Sequence, residues 1–130
     1  MRPRLFGFDR FARAVVLLLL FCTAWLCAAD HEERKLRLLF VYEEGCPWCA
    51  KMEHEVFENP DYLRRIRAHY RLRRAQIYKD PLPLGLEPHL FPTTYVLSSD
   101  GRRVLERFRG YIDPKEFLAS LDELYSLEEP

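Results

Sequence analysis

At 130 residues, with 48% hydrophobic and 14% aromatic content, the chain has material for one compact core and little for a second domain. Twenty basic residues balance twenty acidic ones. The arginines are scattered along the sequence, whereas a nucleic-acid partner calls for a concentrated basic face, so that class is set aside.

The N-terminus reads as a segment apart. Arg2, Arg4, Arg10 and Arg13 precede an apolar run from Ala14 to Ala29, which ends in small residues before the charged stretch Asp30-His31-Glu32-Glu33-Arg34-Lys35. A basic start, an apolar middle and a small-residue exit make up a secretory signal peptide, with the expected cut after Ala29. The run is short of the roughly 20 apolar residues that span a bilayer, which leaves an uncleaved anchor as the alternative. Bulky residues at Ala24-Trp25-Leu26 speak against lipid attachment at Cys27. The expected organisation is therefore signal peptide 1–29, disordered start 30–34, folded domain 35–126 and tail 127–130. Four basic residues and one acidic residue precede Asp30, so the remainder holds 16 and 19 and a net charge of −3. Cys22 and Cys27 leave with the signal segment, and only Cys46 and Cys49 stay to pair.

Leu36 to Tyr42 is short, apolar and aromatic, which predicts a strand buried on both faces of a parallel or mixed sheet. Pro47 suits the first turn of a helix, where its missing N–H costs nothing, and Cys49, Met52 and Val56 then share one face with Glu53, Glu55 and Glu58 mostly outside. Asn59-Pro60-Asp61 reads as a cap, a helix-starting proline and an acidic first turn, with Tyr62, Leu63, Ile66 and Tyr70 as the inward stripe. A strand is expected over 71–79 and a proline-rich loop over 80–90. Thr93–Leu97, the turn Ser98-Ser99-Asp100-Gly101 and the alternation from Arg103 to Phe108 form a hairpin signal. Asp113-Pro114 then opens a last helix, whose stripe is Phe117, Leu118, Leu121, Leu124 and Tyr125.

Between the first strand and the first helix stand Cys46-Pro47-Trp48-Cys49. Thiols three residues apart in the first turn of a helix lie on the same side and can close a small ring without unwinding it. Unpaired backbone N–H groups and the positive end of the helix dipole favour thiolate at the first sulfur, and thiolate is the species that attacks disulfides. An inert staple closing so small a loop would constrain the unfolded chain little. Metal chemistry is the competing class, because Cys46, Cys49, Met52 and His54 include soft sulfur and imidazole suited to copper or zinc. His54 is five residues beyond Cys49, rotated about 140° on an α-helix, and faces away. Ala50 stands where haem attachment needs a histidine. No metal ligand set and no cofactor are assigned, with a single copper ion held by the two thiolates as the remaining metal option. Of the other histidines, His31, His69 and His89, only His89 falls near Pro92 in sequence. The arginines at 64, 65, 67, 71, 73 and 74 read as a solvated face that also suits an acidic partner surface.

A strand, a Cys-x-x-Cys opening a helix, Phe91-Pro92-Thr93 entering a hairpin and a closing amphipathic helix together resemble the thioredoxin superfamily over residues 35–126. The longer string Gly45-Cys46-Pro47-Trp48-Cys49-Ala50-Lys51-Met52, with Glu55-Val56-Phe57 and Asn59-Pro60-Asp61, is similar to exported bacterial thioredoxin-like proteins of sulfur-oxidation and disulfide-reductase systems. The resemblance implies an α/β fold with a central mixed sheet flanked by helices. It also implies a thiol–disulfide oxidoreductase in which Cys46 attacks and Cys49 resolves, without a cofactor. Pro47 and Trp48 support that pair. Read alone, Pro92 is a strand-entry proline; the resemblance makes it cis and sets Phe91, Pro92 and Thr93 beside the cysteines, facing an extended substrate. The implied partners are a disulfide-containing protein or small thiol and a membrane electron donor, the implied direction is reduction, and the implied compartment is the periplasm. A metal-binding or chaperone-like module on the same fold is the alternative. One departure stands out: thioredoxins carry a buried acid in the strand before the cysteines, and Phe40 occupies that position here. Glu43 and Glu44 are the nearest candidates in sequence, and both read as solvated loop residues.

Overall fold

The structure, a computed structural model, describes residues 34–128 together with Arg13, Val15 and Val16. The expected signal peptide and most of the expected disordered start lie outside the described residues. Residues 35–130 make a compact unit of their own, and among the described residues the buried core lies at Leu36 and beyond. Among the described residues no helix is long and apolar enough to cross a membrane.

Four strands form one mixed sheet in the order β2-β1-β3-β4. β1 (Leu36–Tyr42) runs parallel to β2 (Tyr70–Gln76) and antiparallel to β3 (Thr93–Leu97), which pairs antiparallel with β4 (Val104–Arg109). The central position of β1 explains its near-continuous apolar run: Leu36, Leu38 and Phe40 enter one core and Leu39 and Val41 the other.

The three helices all contribute to the first of these cores. α1 (Pro47–Met52) continues into a π turn, Glu53–Phe57, closed by the Glu58 N–H donating to the Glu53 carbonyl at 2.8 Å. The wider turn buries Val56 and Phe57 together, alongside Cys49 and Met52. α2 (Pro60–His69) starts where the sequence predicts, with Asn59 Oδ1 accepting from the N–H groups of Asp61 and Tyr62 at 3.0 and 3.3 Å. α3 (Pro114–Glu128) is capped in the same way by Asp113, whose Oδ1 accepts from Lys115 N–H at 2.9 Å, and buries Phe117, Leu118 and Leu121. It takes up Leu127 and Glu128, which the sequence assigns to a tail.

Two boundaries differ from expectation. Tyr70 is not the last inward residue of α2 but the first of β2, with extended φ and ψ of −127° and 141°. The helix passes into the strand without a loop, and the phenol is buried either way; its hydroxyl donates to the Leu121 carbonyl at 2.6 Å, and burial pushes its ionisation upward. β2 also ends at Gln76 rather than 79, because the Asp80 carboxylate accepts from Gln76 N–H at 2.7 Å and Tyr78 turns the chain at φ 71°.

Among the described residues the other face of the sheet has no α-helix on it, only the short 3-10 turn Pro83–Gly85. Leu39, Val41, Ala75, Tyr95 and Leu97 are covered by Leu82 and Leu86 from the proline-rich segment and by Ile77 and Phe91 on either side of it. The β3–β4 turn is tightened by Asp100, whose carboxylate accepts from the Ser98 hydroxyl and the Arg102 N–H, bonds that hold it below the usual carboxylate range. Gly101 sits there at φ +76°, and a Cβ at this position meets Arg37 Nη1 at 2.6 Å. Gly101→Ala is expected to cost about 1–2 kcal/mol, read as a lowered denaturation midpoint at constant slope.

Candidate active site

Cys46 is the N-cap of α1, so the end of a buried strand delivers its sulfur to the mouth of the helix. Cys46 and Cys49 are joined as a disulfide with their Cα atoms 5.3 Å apart, inside the ordinary range for such a bridge. Cys49 N–H donates to Cys46 Sγ at 3.2 Å. Cys46 is half-buried whereas Cys49 is only 3% exposed. The pair therefore has an outer sulfur that a substrate can reach and an inner one it cannot.

The two cysteines stand at the wall of a cleft of about 520 Å³, with Cys46 the more exposed of them. Phe40 and Tyr42 from β1 form its apolar side, Glu43 and Glu44 its loop side, and Glu53 and Arg74 its polar wall. Arg74 Nε donates to Glu53 Oε1 at 2.6 Å and its guanidinium also reaches the Phe57 carbonyl at 3.2 Å. Glu44 faces Lys79 and Gln76, whose side chains donate to it at 3.1 and 3.0 Å and hold its carboxyl below the usual range, Lys79 foremost. A carboxylate so held is a weak base.

Beside Cys46 lies a second cluster. Trp48, 56% exposed, has its ring centroid 5.6 Å from that of Tyr111. The Lys51 ammonium lies 5.4 Å from the Trp48 centroid and 4.4 Å from that of Tyr111. The Tyr111 hydroxyl donates to the Glu55 carboxylate, tying the loop after β4 to the helix that carries the cysteines. That bond, more than its slight desolvation, raises the Tyr111 phenol to about 12.

The Phe91–Pro92 peptide is cis. Pro92 is buried and its carbonyl accepts from Gly110 N–H at 2.7 Å; Thr93 is buried and its hydroxyl donates to the Leu90 carbonyl at 2.6 Å. Phe91 and Cys46 both pack against the same core, but Phe91, Pro92 and Thr93 do not line the cleft at the cysteines. His54, its side chain 83% exposed, meets Glu58 at 3.2 Å on the solvent side. Among the described residues no three His, Cys, Asp or Glu side chains are grouped to hold a metal ion.

The thioredoxin-like domain family model matches residues 27–125. The chain belongs to the thioredoxin-like family. Among solved structures, the periplasmic thioredoxin SoxS from Paracoccus pantotrophus in its reduced form is 30% identical, with a TM-score of 0.58 over 73% of this chain and all of that one. The C-terminal domain of Neisseria meningitidis DsbD in its oxidised form is 21% identical, with a TM-score of 0.52 over 78% of this chain and 94% of that one. A thioredoxin from Thermus thermophilus is 19% identical, with a TM-score of 0.54 over 75% and 79%. No curated protein matches the chain by sequence. Family, fold and cysteine pair together support a redox enzyme in general terms.

This thioredoxin-like site has four residues that the sequence reading left outside it: Glu53 and Arg74 in the cleft wall, and Lys51 and Tyr111 in the cluster with Trp48. The raised Tyr111 phenol gives one of them a measurable signature. Because the folded state holds the proton more tightly than the ordinary value of 10.0, the stability drawn from this bond is complete below pH 10 and is lost as pH climbs through about 12. Tyr111→Phe is expected to remove that part of the alkaline loss, as followed by thermal melts at stepped pH.

Proposed function

We propose that the chain is an exported thiol–disulfide oxidoreductase that works by exchange at Cys46 and Cys49, in the reducing direction. The observation that carries the reading is the bonded pair with one accessible and one buried sulfur at the start of a helix. In the reduced protein the Cys46 thiolate attacks a substrate disulfide, forms a mixed disulfide and releases one substrate thiolate. The Cys49 thiolate then attacks Cys46 Sγ, restores the internal disulfide and releases the second substrate thiol, so two electrons pass to the substrate and no cofactor takes part. Pro47 starts the helix, Trp48 stands beside the outer sulfur, and Phe91, Pro92 and Thr93 form the segment offered to an extended substrate. The substrate is a disulfide-bearing protein or small disulfide, and a membrane partner returns the electrons. Export to the periplasm rests on the signal-like N-terminus, and the periplasmic SoxS relative supports it.

The test is thiol titration of the purified protein before and after mild reduction, combined with turnover of a model disulfide. Two thiols that appear and disappear reversibly, with turnover, are expected. A stoichiometric metal that survives purification and no turnover points instead to the copper- or zinc-binding module. The equilibrium potential of the pair then fixes direction: a value near that of thioredoxin fits a reductase, and a much more oxidising one fits disulfide insertion.

A further inference from the structure

Among the described residues α1, α2 and α3 cover one face of the sheet, and the other gathers arginines that lie far apart in sequence. Strand alternation and register set Arg71 and Arg73 of β2, Arg37 of β1 and Arg107 and Arg109 of β4 on the face of Leu39, Tyr95 and Leu97. Arg37 and Arg71 both donate to the Ser99 carbonyl, at 3.0 and 2.9 Å, Arg73 donates to the Pro81 carbonyl at 3.0 Å, and Arg107 lies 5.2 Å from the Tyr95 ring. Arg64, Arg65, Arg74 and Arg103 each have a carboxylate within 4 Å; among the described residues none of these five does. Arginine stems lying beside Leu39 and Leu97 add to the cover that Ile77, Leu82, Leu86 and Phe91 give this face. That packing role does not require every charged strand position on this face to be an arginine, in a chain with equal numbers of acids and bases.

A second observation lies next to them. Arg37, Arg71 and Arg73 ring a cavity of about 330 Å³ over Leu39 and Leu97, with Pro83 on its rim. The next residue, Leu84, is 50% exposed at φ 58°, a backbone conformation that favours glycine. The fold thus keeps a bulky apolar side chain half-exposed and outside both core clusters.

We infer that this face docks on an anionic phospholipid surface. Guanidinium forks match phosphate oxygens, and basic groups combined with an apolar tip are what a peripheral membrane surface requires. The arginines spread across a sheet about 14 Å wide rather than converging on one point. Leu84 projects from the rim of the cavity instead of lining it. A fluid lipid surface accepts such a layout without the shaped counterpart that an acidic protein must supply. The cysteines belong to a helix on the opposite face, so a docked domain keeps its disulfide open to substrate. This reading does not depend on the exchange chemistry proposed above.

Vesicle co-sedimentation of residues 30–130, the chain left by the expected signal cleavage, tests it, with its thermal melt confirming that it is folded. Binding to phosphatidylglycerol vesicles but not to phosphatidylcholine vesicles is expected, with release as salt rises. Arg73→Gln, Arg107→Gln and Arg109→Gln together weaken partition about a hundredfold, at about fivefold for each arginine. Leu84→Gly weakens partition with no loss of thermal stability, because glycine suits the φ, which separates lost docking from lost folding. Equal binding to neutral vesicles, or a triple variant that binds like the parent, overturns the inference. So does full competition by polyglutamate at equal charge, which assigns the face to an acidic protein instead.

Discussion

Cys46→Ser reduces turnover of a model disulfide to the uncatalysed background, whereas Cys49→Ser performs one half-reaction and stops. The asymmetry follows from where the sulfurs sit. Cys46 is the N-cap of α1, half-exposed, with the Cys49 N–H directed at its sulfur from 3.2 Å. The same backbone donor and the helix N-terminus favour negative charge on that sulfur once the bridge is reduced. Cys49 is sealed against Met52 and the core, so it meets little except Cys46. Removing Cys46 therefore removes the attacking atom. Removing Cys49 leaves attack intact and deletes resolution, and the protein accumulates in a one-to-one mixed disulfide with its substrate. Non-reducing electrophoresis after incubation with a disulfide-bearing protein reads this directly: adducts with Cys49→Ser, none with Cys46→Ser, and none with the double variant. Equal adduct formation by the two single variants would contradict the assignment of roles. Residual turnover by Cys46→Ser would contradict the mechanism itself.

The site and the elements that position it were readable to different depths. Helix starts were local chemistry: Asn59-Pro60-Asp61 and Asp113-Pro114 each name a cap, a first-turn proline and, for α2, an acidic first turn, and both helices begin there. The cysteine pair was legible because β1 closely precedes it and Pro47, between the two cysteines, opens the helix. The cleft wall was not. Glu53 falls on the outer face of an ideal helix, and Arg74 in a run of arginines reads as solvent-facing. They meet because β1 and β2 pair in parallel with Phe40 opposite Arg74, a register fixed by contacts across the chain rather than within it. Tyr111 reaches Trp48 for a similar reason, since the loop after β4 returns over the helix of the cysteines. The arginine face shows the same limit: residues that are scattered in sequence become neighbours once three strands carry them to one side.

Phe57→Ala is expected to cost about 3–5 kcal/mol, a large share of the roughly 5–15 kcal/mol available to a domain of this kind. Phe57 is fully buried, with ring centroids of Phe40 at 4.7 Å and Phe117 at 6.1 Å, so its ring joins β1, the π turn and α3. The Arg74 guanidinium lies 5.9 Å from the same ring while holding the Phe57 carbonyl and Glu53. Truncation leaves a cavity that three elements must collapse together to fill, which puts the loss toward the upper end for a single side chain. Leu127→Ala, at 73% exposure on the last turn of α3, is the matched control and is expected to stay within about 0.5 kcal/mol. Denaturant unfolding of both variants with the disulfide intact measures the difference, and an unchanged slope assigns it to the folded state. The π turn makes the site depend on this ring. By burying Val56 and Phe57 side by side, it seats the end of the segment whose beginning carries Cys46 and Cys49, and it carries Glu53 at the cleft wall. Loss of Phe57 should therefore speed alkylation of Cys49 in the reduced protein more than that of Cys46, because the inner thiol is protected by packing and the outer one is already accessible.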